Sequence, residues 1–118
     1  MMTLVIAHAL WAGSQDASSC YDSAQAKFKK RDFDGTLSEV EKAIRLDPRY
    51  AAAYWLRGNL REQKGDDAGA LADLSRAIEI KKDPIFYHDR ASLRMKRKEF
   101  REAVEDCTKG LEGLPPKD

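Results

Sequence analysis

Small and apolar side chains recur through residues 51–83 with the spacing of one helix face and then of a second. Tyr54, Arg57, Gly58 and Arg61 fall at i, i+3, i+4 and i+7, and Ala70, Leu74, Ala77 and Ile78 repeat the spacing after a turn at Gly65-Asp66. This pattern predicts two short amphipathic helices, near Ala51 to Lys64 and Asp67 to Ile80. Gly58 and Ala70 stand where the helices cross, so the backbones can approach closely. Helices this short cannot bury an apolar face as an isolated pair, and a similar neighbour is expected on each side.

The flanks supply both neighbours. Moved back by 34 residues, Tyr54, Gly58, Ala70, Leu74, Ala77 and Ile78 lie over Cys20, Ala24, Thr36, Val40, Ala43 and Ile44. Moved forward by 33, they lie over Tyr87, Ala91, Ala103, Cys107, Gly110 and Leu111, with size class kept at nearly every position. The first unit should therefore hold helices near Ser18 to Lys30 and Asp34 to Leu46. Asp32-Phe33-Asp34-Gly35 marks its turn, and Asp47-Pro48 ends it, because the residue before proline disfavours helical geometry. In the third, Asp83 caps a helix with Pro84 at its first position, running to about Lys96. A last helix from Glu99 to Glu112 is stopped by Gly113-Leu114-Pro115-Pro116.

These units resemble the tetratricopeptide repeat, with its period of about 34 residues. The resemblance rests on Tyr54-Trp55-Leu56-Arg57-Gly58 with Ala70 and Ala77, on Tyr87-His88-Asp89-Arg90-Ala91 with Ala103, and on Pro48 and Pro115 closing the first and third units. Cys20 stands where the aromatic belongs, Thr36 replaces an alanine, and unit two ends one residue short at Lys82-Asp83-Pro84. The resemblance covers residues 17–115, divided as 17–50, 51–83 and 84–115. It implies an all-α fold, a right-handed superhelical stack of three antiparallel helix pairs forming an α-solenoid. It also implies a scaffold or adaptor that binds a peptide segment or partner helix in the concave groove lined by the first helix of each pair.

The groove residues implied are Ala52, Trp55, Leu56, Asn59, Glu62 and Gln63 in unit two. Tyr21, Asp22, Gln25, Phe28 and Lys29 are the positions in unit one, and Ile85, His88, Asp89, Ser92, Met95 and Lys96 those in unit three. Three registers follow the groove: Tyr21, Trp55 and His88; Gln25, Asn59 and Ser92; Phe28, Glu62 and Met95. Rings supply contact area at small entropic cost, and the short polar side chains can bond a peptide backbone. Trp55 is the expected anchor, the structural alternative being that Trp55 and Tyr21 only wedge between units. Family members that hold the C-terminal carboxylate of heat-shock chaperones use basic residues and Asn. Here Tyr21, Gln25, Leu56, Ile85 and Asp89 occupy those registers, which disfavours such a partner.

Composition narrows the remaining classes. The chain has 118 residues, 42% apolar and 35% charged, with a formal net charge of +1, as suits one soluble globular domain without general polyanion affinity. Residues 1–16 differ in character: an apolar run from Leu4 to Ala12, without Lys or Arg, too short to span a bilayer. They read as a signal peptide for export to periplasm or exterior, with cleavage near Ala12-Gly13-Ser14, or alternatively as a cap on unit one of a cytoplasmic protein. A lipid anchor at Cys20 lacks the large apolar residue expected before it.

No enzyme chemistry is visible. His8 and His88 are eighty residues apart, no His or Cys pair has metal-ligand spacing, and the glycines sit at turns and crossings rather than in a phosphate loop. Neither cofactor nor small-molecule substrate is expected. Cys20 and Cys107 fall on packing positions in the first and last units, which reads as two buried thiols too distant to pair. Val104, Cys107 and Leu111 are expected on the inward face of the last helix, beside an end that no further repeat covers. Self-association through such ends, or a longer array, is the alternative to groove binding. Basic clusters at Lys27-Lys29-Lys30-Arg31 and Arg94-Lys96-Arg97-Lys98-Arg101 raise an acidic or nucleic-acid partner as the weaker alternative; interleaved acids and missing aromatics oppose it.

Overall fold

The computed structural model describes residues 16–115. They form six α-helices and no strand: α1 (Ala17–Lys29), α2 (Phe33–Leu46), α3 (Ala51–Gln63), α4 (Asp67–Ile80), α5 (Pro84–Lys96) and α6 (Phe100–Glu112). Consecutive helices pair as α1/α2, α3/α4 and α5/α6, and the pairs stack in order as an α-solenoid. Helix ends fall within a residue or so of the sequence expectation. The segment read as signal or cap lies outside the described residues except for Asp16, whose carboxylate caps α1 by accepting from Ser19 N–H at 2.8 Å.

Each pair turns by the same device. Asp32, Asp66 and Glu99 N–H groups donate to the carbonyls of Lys27, Arg61 and Arg94 at 2.9, 2.8 and 2.8 Å, closing the turn over the end of the first helix. The residue just before each is left-handed, with φ of 62° at Arg31, 85° at Gly65 and 64° at Lys98. Only the middle turn has the glycine this conformation favours. The second helices of the first two units are then capped by Asp32, accepting from Gly35 N–H, and by Asp66, accepting from Gly69 N–H. Glu99, one methylene longer, makes no such bond.

Close approach and burial hold the stack. A Cβ on Gly58 would meet the Ala70 carbonyl oxygen at 3.2 Å and Leu74 Cγ at 3.3 Å, which is why small residues occupy this crossing. Thr36, standing where alanine was expected, fits because it is fully buried with its hydroxyl donating to Asp32 O at 2.7 Å. Between pairs, Ala24, Val40 and Leu56 form one cluster, and Ala70, Leu74 and Leu93 another. Leu56 therefore belongs to the core at 3% exposure, not to the groove, because it fills the space over Val40.

The last helix corrects a further expectation. Val104, Cys107 and Leu111 face outward; Ala103, Asp106 and Gly110 are the buried residues of α6. Their counterparts one repeat earlier, Leu71, Leu74 and Ile78, are shielded because α5 packs over α4, and no described helix packs over α6. Cys107 is thus an exposed thiol, while Cys20 is buried, its pKa pushed up by burial and by neighbouring Glu39.

Two buried carboxylates tie first and second helices together. Asp73 accepts from Arg57 Nη2 at 2.9 Å and Arg61 Nη1 at 2.9 Å; Asp106 accepts from Arg90 Nη2 at 2.7 Å and Arg94 Nη1 at 2.9 Å. Bonding to Asp73 holds the Arg57 pKa above its ordinary value, against the opposing effect of burial. In unit one the arrangement weakens to Lys27 and Glu39 at 3.9 Å, with Ser23 in place of the first arginine.

Candidate partner-binding groove

The first helix of each pair carries the residues expected to bind, and their neighbours divide them among three concavities. The largest, of about 590 Å³, lies between the ends of α1, α3 and α5 and is lined by Tyr21, Arg49, Ala52, Trp55, Ile85 and Phe86 among others. Tyr21 stacks obliquely on Tyr50 with ring centroids 5.4 Å apart, and Trp55 on Phe86 at 6.1 Å. Burial pushes the Tyr21 pKa up to about 12, with Tyr50 and Asp22 adding to the effect.

Trp55 has a double position. It packs against three core clusters, and its indole N–H donates to Asp89 Oδ2 at 2.6 Å. Its half-buried ring also borders the cavity. Wedge and wall are therefore the same side chain. Asp89, which sequence reasoning placed in the groove only as an obstacle to a carboxylate ligand, fixes that ring.

A second concavity of about 290 Å³ gathers Phe28, Asn59, Glu62, Gln63, Asp89 and Ser92 from all three first helices. This brings Asn59 and Ser92 of the polar register together with Phe28 and Glu62. Gln25, half-buried, and Met95, 52% exposed, line none of the concavities described here. His88 is exposed and faces the third, of about 480 Å³, shared with Cys107 and Leu111 at the α6 end rather than with Tyr21 and Trp55. Ile85 and Phe86 take the place beside those rings that the registers gave to His88.

Charge around these concavities is mixed. Arg49 and Lys81 border the largest beside Asp83, while Glu62 and Asp89 border the second. Four of the nine residues of the basic clusters are paired: Lys27 with Glu39, Arg94 with Asp106, Lys96 with Asp67 at 3.3 Å and Arg97 with Glu99 at 2.7 Å. No three His, Cys, Asp or Glu side chains gather as metal ligands among the described residues, and no described helix is long and apolar enough to cross a membrane.

The buried Arg and Asp groups escaped the sequence reading, although a signal existed. Arg57, Arg61 and Asp73 recur 33 residues later as Arg90, Arg94 and Asp106. Reading the arginines as face markers hid the charge that the repeated aspartate supplies.

Known proteins match in sequence locally and in fold broadly. Residues 51–84 match the family model of the tetratricopeptide repeat. No curated protein matches the chain in sequence. Among solved structures, a crystal structure of MamA superposes with a TM-score of 0.78 at 24% identity, over 84% of this chain and 58% of that one. The first repeat domain of Spaghetti (RPAP3), bound to the HSP90 peptide SRMEEVD, gives 0.79 at 22%, over 88% and 83%. The TPR2B domain of yeast Sti1, in a pHsp70 complex, gives 0.75 at 22%, over 80% and 76%. This chain spans less than two thirds of the MamA chains, 58% and 62% in the two matches. Residues 51–84 are thus a matched tetratricopeptide repeat, with a helix pair of the same fold on each side.

Proposed function

We propose that the chain is an interaction scaffold that receives a peptide segment or partner helix along α1, α3 and α5, by recognition without catalysis. The observation that carries this is the 590 Å³ cavity walled by Tyr21, Trp55, Ile85 and Phe86, with a separate concavity holding Asn59 and Ser92 on the same first helices. An apolar or aromatic anchor fits the first part, since rings already fixed by Phe86, Tyr50 and Asp89 lose little freedom on binding. The amide of Asn59 and the hydroxyl of Ser92 supply backbone donors and acceptors beyond it. Peptide complexes of structures sharing the fold support the mode, while Glu62 and Asp89 argue for a segment bound by its interior rather than by a free carboxylate end.

Panning random displayed peptides on the full chain tests the reading. Enriched peptides should carry an aromatic or large aliphatic residue and perturb the amide resonances of Ala52, Asn59 and Ser92. Asn59→Arg should weaken them by roughly tenfold or more, equivalent to about 1.4 kcal/mol. Peptides that bind this variant equally, or that perturb only the second helices, would remove the groove from consideration.

A further inference from the structure

The two concavities along the first helices carry opposite charge. Arg49 and Lys81, both exposed, border the cavity of about 590 Å³, one from the loop before α3 and the other from the loop before α5. Asp83 is the acid on the same border, and its carboxylate is engaged in capping α5, accepting from Ile85 N–H at 2.9 Å. Glu62 and Asp89 border the concavity of about 290 Å³, and no lysine or arginine among the described residues lines it. None of Arg49, Lys81, Glu62 and Asp89 forms an ion pair among the described residues. The groove is therefore positive at one end and negative at the other.

Helix α3 sets the distance between the ends. Ala52 lines the first concavity and Glu62 the second, ten positions further along one helix, which is about 15 Å. An extended chain rising about 3.3 Å per residue covers that in about four to five residues. Trp55, on the wall of the first concavity, is seven positions before Glu62, about 10 Å or about three residues of extended chain. In the second concavity the ring of Phe28 adds a face on which a cationic side chain can lie.

We propose, resting on the reading that the groove receives a peptide segment, that this segment is extended and oppositely charged on the two sides of its apolar anchor. An Asp or Glu next to the anchor meets Arg49 and Lys81. A Lys or Arg about three residues from the anchor, on its other side, enters between Glu62, Asp89 and Phe28. Each end of the groove rejects the charge that the other accepts, so a segment of one sign throughout is repelled at one concavity or the other. A nucleic acid is opposed by the same order, since its phosphates would lie on Glu62 and Asp89.

Peptides enriched by panning random displayed sequences on the full chain should align with an acid next to the aromatic or large aliphatic residue and a base about three residues away on its other side. By fluorescence anisotropy, a labelled peptide of this kind should bind roughly tenfold or more weakly to the chain carrying Arg49→Glu with Lys81→Glu, and likewise to Glu62→Lys. The same peptide with its acid replaced by lysine should bind the chain carrying Arg49→Glu with Lys81→Glu more tightly than it binds the wild type, a reversal that damage to the fold would not produce. Peptides weakened by Asn59→Arg but indifferent to both charge reversals, or enriched peptides of a single sign of charge, would overturn the charge order and leave the groove as a binding face. Failure to enrich any peptide would overturn both.

Discussion

The indole nitrogen of Trp55 donates to the carboxylate of Asp89 at 2.6 Å, joining α3 to α5 across a separation of 34 residues. Apolar contacts between neighbouring repeats resist sliding weakly, and directed bonds such as this one, Arg90 to Ser75 at 3.1 Å and Lys96 to Asp67 at 3.3 Å resist it more strongly. The bond to Asp89 sets the angle of the Trp55 ring on Phe86 and with it one wall of the largest cavity. A contact between repeats is thereby also a contact with whatever enters the groove.

The bond should be measurable as coupling. Urea unfolding of Trp55→Phe, Asp89→Ala and the double variant should give an interaction free energy of about 1–2 kcal/mol, as suits a hydrogen bond to a charged, partly buried acceptor. Costs that simply add would mean that the bond contributes nothing.

Asp73 answers two guanidinium groups with one carboxylate at 4% exposure. Asp73→Ala leaves both arginines without their buried partner and should destabilise by about 3 kcal/mol, with Asp73→Asn in between. Replacing all three charges together, by Arg57→Leu, Arg61→Met and Asp73→Leu, should recover most of that loss, since the apolar set carries no desolvation penalty. Thermal unfolding of the three variants distinguishes a net stabilising ion group from one that is costly only to break.

Helix positions were legible in the sequence because the features that set them are local: Asp83 as a cap, Asp32 and Asp66 in the turns, Pro48 and Pro84 as punctuation, and the 3.6-residue spacing between. Gly58 against Ala70 was legible too, since only small residues permit the crossing. What escaped depends on neighbours that periodicity cannot specify. Val104, Cys107 and Leu111 have the spacing of a buried face, but burial needs a covering helix, which α4 has in α5 and α6 lacks among the described residues. Likewise Leu56 and Trp55 are adjacent in sequence and were both placed in the groove, yet Leu56 turns 100° further into the core over Val40. The register gave Tyr21, Trp55 and His88 one line, whereas the stack's rotation puts Ile85 and Phe86 beside the first two.

Left-handed backbone at the three turns gives a clean test of local strain. A Cβ on Gly65 would meet nothing within 4 Å, so Gly65→Ala should cost about 1 kcal/mol from conformation alone. Lys98 has φ 64° with a side chain that is exposed, and Lys98→Gly should stabilise by about 0.5–1 kcal/mol. Equilibrium unfolding of the two variants should move in opposite directions; parallel shifts would place the strain elsewhere.

Alkaline pH should act on the groove through Tyr21. Its phenol, half-buried against Tyr50, has a pKa raised to about 12, whereas an unfolded tyrosine ionises near the ordinary value of 10. The folded chain therefore keeps a proton that the unfolded chain releases. Stability from this group is fully present below pH 10 and is lost as pH rises from about 10 to 12, because the unfolded state binds fewer protons over that interval. The slope of the wild type alone sums over every ionising group and is not diagnostic of Tyr21. Tyr21→Phe removes only this phenol and keeps the ring contact, and its unfolding free energy should decline less steeply over the interval. Ultraviolet titration near the phenolate band should in parallel show one fewer late-ionising tyrosine. Equal slopes in the two proteins would mean that the Tyr21 hydroxyl reaches water freely and that the cavity is wetter at this wall than its lining suggests.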